Sequence, residues 1–382
     1  MQVGENPDFY GGPPAIARLG GGGNVALWVA HGSTTSNSRL VAQLTDAAGH
    51  LVGTQILVQE EVVPVQYVSV VPTPDGGFLV AWAGFDGFTS TSSHPLANVQ
   101  TRRYSATGVV LGSTRVAQES FNGVGGVAIQ PTDDGYVVGW SSTASPGVPL
   151  SAFLQRLDRS GTPVGSRVEP QPGSGASQFG LSIVPLPDAS VGAVWIQAGS
   201  GAYTVHTRHF DSSLQPLNAA TELAGISQAS GFVMSAAPVG PNIGLAWTAT
   251  VASGAEEVRT AVIAPEASAV GAYEAVTSGS TFVNHVQVLP FAKDFGVVWQ
   301  EDQFSSSRDT AILYLQRHAA SGAVTSTQTE LNRRVTASNV DVMGAGIFAN
   351  TGVAVAGGAD GHVVATFGMA DQAQPNQYVL GR

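Results

Sequence analysis

The chain of 382 residues contains no cysteine. That excludes disulfides, thiolate zinc sites and cysteine nucleophiles together. Charge is scarce: 11% of residues are charged against 43% hydrophobic, a balance that fits a folded protein and excludes a disordered one. Lysine is reduced to Lys293 alone. With 27 acidic against 16 basic residues and arginines adjacent only at Arg102-Arg103 and Arg333-Arg334, the chain lacks the clustered cations that a nucleic-acid partner requires. No run approaches the roughly eighteen apolar residues needed to cross a bilayer, and the opening MQVGENPDFY lacks a basic region followed by an apolar stretch. The chain as given reads as soluble, without membrane insertion. Its low charge and abundant glycine, serine, threonine and alanine suit a secreted or cell-surface setting, in which a signal peptide would have been removed.

Catalytic signatures are also missing. There is no GxSxG elbow, phosphate loop, HExxH or DxDxDG calcium loop, so no catalytic residue and no cofactor is assigned. The glycine run at 20–24 reads as a hairpin turn. His206 and His209 are three apart, which on a strand sends them to opposite faces and argues against a metal. No stretch shows a capped helical period.

What the sequence does contain is repetition, the first thing to seek in a chain of this length. The six tryptophans Trp28, Trp82, Trp140, Trp195, Trp247 and Trp299 each end an apolar strand, as in GGFLVAW and GYVVGW, at spacings of 54, 58, 55, 52 and 52. A further 57 residues reaches Ala356 in TGVAVAGG, a seventh copy without the indole. Before each tryptophan lies a strand with a tight turn (YVSVVPTPDGG, LSIVPLPDAS). After it come a Gln/Arg-rich strand with a second turn (VQTRRYSATGVVLG, FLQRLDRSGTPVG) and a short closing strand such as TQILVQ. Turns rich in Pro, Asp, Asn and Gly join the four pieces as hairpins. Seven such units of four antiparallel strands predict an all-β, single-domain β-propeller, with six or eight blades as alternatives. Approximate blades are 11–61, 62–120, 121–176, 177–227, 228–279, 280–335 and 336–382. The seventh unit supplies its own fourth strand near NQYVL, which favours end-to-end closure; the alternative is that residues 1–10 add a strand to it.

The pattern "GGFLVAW... VQTRRYSATGVVLG" resembles the repeats of bacterial, often secreted or surface-associated, propeller proteins with seven or eight blades. The resemblance spans nearly the whole chain. It implies the fold and leaves function open among lectins, adhesion modules, scaffolds and a minority of enzymes. Blade four departs from the pattern with SSLQ in place of the second-turn glycine, and blade five carries Ala261-Val262 in place of Gln-Arg. The Gln-Arg pair therefore reads as structural support, and so do the recurrent Arg103, Arg156, His209 and Arg317. The tryptophans read as blade-to-blade packing.

Function is expected where the repeats differ. The connection after the tryptophan strand varies most in length, and variation on one face of a rigid scaffold is where binding residues are usually carried. The candidates there are Phe85, Asp86, Phe88 and His94 in blade two, Tyr203 in blade four, and Asp302 and Phe304 in blade six. Tyr67 and His285, on the first strands of blades two and six, are candidates for the central channel. Aromatics beside carboxylates suit a glycan. The expected function is non-catalytic binding of a glycan or a protein partner. The alternatives are a scaffold within a larger assembly and a polysaccharide lyase or glycoside hydrolase using paired carboxylates such as Glu301 or Asp302 with Asp86.

Overall fold

The structure, a computed structural model, describes residues 14–31, 38–59, 63–86, 96–119, 124–143, 147–199, 201–228, 233–251, 254–277, 282–304, 308–337, 353–357, 363–369 and 377–381. These residues form strands and turns, with no helix among them. Six antiparallel sheets of four strands each follow in chain order, spanning 15–59, 63–119, 124–168, 177–228, 234–275 and 282–337. Each sheet is a meander with its strands paired in sequence order, which is a propeller blade. A three-stranded sheet follows, built from Val353–Gly357, Val363–Met369 and Gln377–Gly381. Complete blades among the described residues therefore number six rather than seven. The seventh repeat contributes its second, third and fourth strands, and the stretch 338–352, where its first would lie, is outside the described residues. Residues 1–10, considered above for ring closure, are outside them too.

The chain divides into two compact units. One comprises Met1–Gly175, Asn350–Ala356 and Val364–Gly381, and holds blades one to three and most of the three-stranded sheet. The other comprises Ala176–Ala349 with Gly357–Val363, and holds blades four to six.

The blades form because the turns permit little else. In blade two Thr73 donates to Gly77 O at 2.9 Å and Gly76 N bonds back to Thr73 O at 3.0 Å, with Gly76 at φ 84°. This is a three-residue hairpin loop with a left-handed third residue, which favours glycine. The same bond pair recurs at Asp46–His50, Ser105–Val109, Asp158–Thr162 and Ala319–Ala323. Blade four keeps the turn where its sequence breaks the pattern: Leu214 takes the glycine position at φ 60°, and Asp211 Oδ1 accepts from both Ser213 N and Gln215 N at 2.8 Å.

All six tryptophans are buried, at 0–2% exposure. Within the first unit Trp82 packs with Leu27, Val29 and Leu40 of blade one. Trp140 packs with Leu79, Ala81 and Val99 of blade two, and Trp28 with Ala354 of the three-stranded sheet. Within the second, Trp247 joins Val184, Val194 and Val205 of blade four, and Trp299 joins Ala246 and Val258 of blade five. Each of these five indoles thus packs against a neighbouring sheet of its own unit. A serine stitch accompanies this packing: Ser69, Ser182 and Ser235 hydroxyls accept the backbone N–H of Ile129, Ala236 and Val288 on the following blade at 3.0–3.3 Å.

The Gln-Arg positions act within blades. Gln43 and Gln155 donate to the carbonyls of Val52 and Val164 on their fourth strands, at 3.1 and 2.9 Å, bracing the register shifts there. Arg103, Arg156 and Arg317 pair with Asp75, Asp134 and Asp294 of the first turn at 2.7, 2.5 and 2.8 Å. In blade four His209 Nε2 meets Ser190 Oγ instead, at 2.7 Å.

Candidate functional site

The residues assigned to the variable connections sit mostly on strands. The tryptophan strand of blade two runs Phe78–Asp86, so Phe85 and Asp86 are ladder residues opposite Ala97 and Leu96 rather than the opening of a loop. In blade six the strand runs Asp294–Phe304, with Asp302 opposite Ala311 and Phe304 opposite Asp309. The reason is the partner: each third strand starts early enough to keep pairing past the tryptophan. Phe88 and His94 lie outside the described residues.

Asp302 is not a solvated turn residue, since it is 0% exposed. Gln300, buried beside it on the same face, donates its Nε2 to Asp302 Oδ1 at 3.0 Å. On the opposite face of the strand, Trp299 Nε1 donates to Glu301 Oε1 at 2.9 Å. Across the blade interface Glu256 Oε2 accepts the backbone N–H of Val283 at 2.6 Å. Next to Glu256, Glu257 Oε1 accepts Arg259 Nε at 2.9 Å. These four carboxylates flank the second-to-third-strand connections of blades five and six, and each is oriented by a protein donor. A carboxylate held this way is stiff and keeps lone pairs for further donors.

Tyr203 opens the third strand of blade four, opposite Ala198. It is half-buried and meets Phe179 edge-on, with centroids 5.7 Å apart. The pair forms an aromatic corner at the same strand end of the neighbouring blade.

Tyr67 and His285 occupy one position in two blades: each lies opposite the residue that follows the tryptophan, Ala83 in blade two and Gln300 in blade six. Burial raises the Tyr67 pKa. His285 is pushed down to about 4, chiefly by burial, with the Gln287 side chain opposing. The imidazole is therefore neutral at pH 7, and its buried Nε2 has no hydrogen-bond partner among the described residues. No group of three or more His, Asp or Glu among the described residues could hold a metal.

One residue escaped the sequence reading. Asn98, on the third strand of blade two, is 0% exposed, and neither its Nδ2 nor its Oδ1 has a partner among the described residues. Leaving a buried polar group unbonded costs about 1–3 kcal/mol. Its cross-strand neighbour is Gly84, which offers no side chain to meet it. Only the register, unreadable before the strand lengths are known, puts the two together.

No protein-family model and no curated protein sequence matches the chain. Its structure does resemble solved ones. The polysaccharide lyase Uly1 superposes with a TM-score of 0.56 at 8% identity, covering 100% of this chain and 91% of that one. A protein of unknown function from Dyadobacter fermentans gives 0.54 at 14% identity, over 88% and 98% of the two chains. The α-L-arabinanase of Penicillium chrysogenum, solved with arabinobiose, gives 0.50 at 11% identity, over 86% and 97%. At these identities the likeness is one of fold, the β-propeller.

Proposed function

We propose that this chain is a carbohydrate-binding β-propeller acting outside the cell or at its surface, with contacts at the strand ends of blades four to six. The observation that carries the reading is the combination at those ends. An aromatic corner, Phe179 and Tyr203, belongs to the same unit as three carboxylates, Glu256, Glu257 and Glu301, whose orientation is fixed by Val283, Arg259 and Trp299. Sugar rings present apolar faces that stack on aromatics and hydroxyls that donate to fixed acceptors. Two propellers of similar fold act on glycans by name, the arabinanase and the lyase, which adds support of the fold-analogy kind.

The test is isothermal titration against a panel of soluble neutral and acidic polysaccharides. Saturable binding is expected, weakened at least tenfold in Tyr203→Ala. A blank panel combined with specific capture of one protein would replace the reading with that of a scaffold. A second reading, a glycan-cleaving enzyme, draws on His285, a neutral imidazole directly across from Gln300, whose side chain in turn bonds Asp302. New reducing ends or unsaturated products, lost in His285→Ala, would establish it.

A further inference from the structure

We infer that the outer strands of blades one and two, in the first unit, form a self-association surface on which a second copy of this chain docks. Exposure points there first. Among the described residues, six large apolar side chains stand exposed on these two strands or at their entry: Leu51, Val52 and Leu57 on blade one, and Val109, Val110 and Leu111 on blade two, each 44–61% exposed. Blades three to six hold one or two each, namely Val148 and Val164, Leu217, Tyr273, and Val324. Apolar side chains exposed singly are ordinary, whereas a cluster of them marks a contact surface.

The two strands meet at a seam. The turn that leads into Val109–Leu111 lies so close to blade one that a Cβ at Gly108 would collide with Ile56 Cδ1 and come within 3.6 Å of Leu44 Cδ1. Arg102 of blade two also donates to the Val58 carbonyl of blade one. Val52 pairs with Leu44 across the blade, and Leu57 follows Ile56 along the strand, so exposed side chains of both strands border the seam. Gly53, Thr54 and Gln55, between Val52 and Ile56, are exposed as well.

Charge then selects the occupant. Neither Leu51–Gln59 nor Val109–Thr114 carries an ionisable side chain, and the first charge on the blade-two strand comes at Arg115. Outer strands usually guard their edge with charge or proline. The other blades do so, with Pro163 and Arg167, Glu222, Glu274 and Glu330. Two copies of a chain of net charge −11 repel overall, so an uncharged rim is where they can approach. A two-fold contact sets the same patch against itself and asks for no opposite charge, and contacts between identical subunits are the more apolar kind. A bilayer is disfavoured, because the patch has neither lysine nor an aromatic ring to sit among headgroups. A stable pair buries on the order of 1,000 Å² in total. Six half-exposed aliphatic side chains from each copy, with the strand edges between them, offer area on that scale.

The experiment is sedimentation velocity on the full chain over a concentration series, in low and high salt. A rise to twice the monomer mass is expected, with no weakening by salt, because apolar contact is not screened. Leu57→Lys combined with Val110→Lys should raise the dimer dissociation constant tenfold or more while the far-UV circular dichroism stays unchanged. Should that variant misfold, Leu57→Ser with Val110→Ser serves in its place. Leu217→Lys, at a position 57% exposed on blade four, should leave the dimer intact. The inference falls if the parent protein stays monomeric throughout, if the dimer survives both patch variants undiminished, or if Leu217→Lys dissociates it as strongly. It also falls if a monomer binds phosphatidylcholine vesicles and loses that binding in the double lysine variant, which would give the patch to a lipid surface. None of these outcomes bears on the carbohydrate reading, which uses other residues.

Discussion

Blade two and blade six share a backbone plan and differ in what they bury at two matching positions. At the end of the third strand blade two stacks Tyr104 on Phe78, with centroids 4.7 Å apart and planes at 10°. Blade six stacks His318 on Phe295, at 5.2 Å and 17°. On the first strand the corresponding pair is Tyr67 and His285. At the third-strand site the packing solution is the same, a flat ring against a flat ring. The titration consequences are opposite. Burial raises the pKa of Tyr67 and Tyr104 and lowers that of His285 and His318; for His318 the Gly322 carbonyl and Glu274 pull weakly the other way. The repeat thus conserves shape while leaving each blade free to choose the pH at which it weakens.

The largest expected effect tests the shared packing. Phe78 and Phe295 are both 0% exposed, so Phe78→Ala and Phe295→Ala should each cost about 3–5 kcal/mol in urea unfolding at pH 7. A much smaller loss for one would mean that its stack is loose and the two positions are not equivalent.

The next effect separates the blades. The folded chain holds His285 neutral while the unfolded chain protonates it near 6.5, so unfolding takes up a proton in acid. Stability is complete above that value and falls as pH drops towards about 4, where the His285 contribution is exhausted. The shift from 6.5 to about 4 sets an upper bound on the order of 3 kcal/mol. Tm measured from pH 7.5 to pH 4.5 should fall, with hydrogen exchange rising first in 282–290. His285→Tyr and His318→Tyr, which copy blade two, should flatten that slope. The tyrosines work in the other direction. The folded chain keeps their phenol protons longer than the unfolded chain does, so their contribution is complete below pH 10 and is lost above it. Tyr104→His should therefore remove part of the alkaline loss and introduce an acid one. An unchanged acid slope in both histidine variants would reject the assignment.

How far this could be seen in advance depends on the residue. The tryptophan period declared the propeller, because a large ring at one strand position has few other uses. Blade four's missing glycine was visible, but not that Leu214 would accept φ 60° and preserve the turn. Strand ends were misjudged for a local reason. Phe85-Asp86-Gly87 looks like a loop by composition, yet backbone pairing with Leu96 and Ala97 carries the strand through Asp86. The burial of Asp302 and the isolation of Asn98 depend on neighbours far along the chain, so no local pattern announces them.

The smallest effect concerns the ion pairs that tie the third strand to the first turn in both blades. Asp75 is 45% exposed and Arg103 24%, whereas Asp294 is 25% exposed and Arg317 37%. Arg317 also lies over Phe291, 4.6 Å from the ring centroid. Asp75 has a competing partner in the Thr73 hydroxyl, at 2.5 Å, which is the main cause of its lowered pKa, ahead of Arg103. Partly exposed pairs of this kind contribute about 0–1 kcal/mol. Asp294→Asn should therefore cost slightly more than Asp75→Asn, and both losses should shrink in about 0.5 M salt as screening shortens the reach of charge. If Asp75→Asn instead costs more and the loss resists salt, the Thr73 bond rather than the ion pair holds the blade-two turn. Thr73→Val would then reproduce that loss, with no counterpart in blade six.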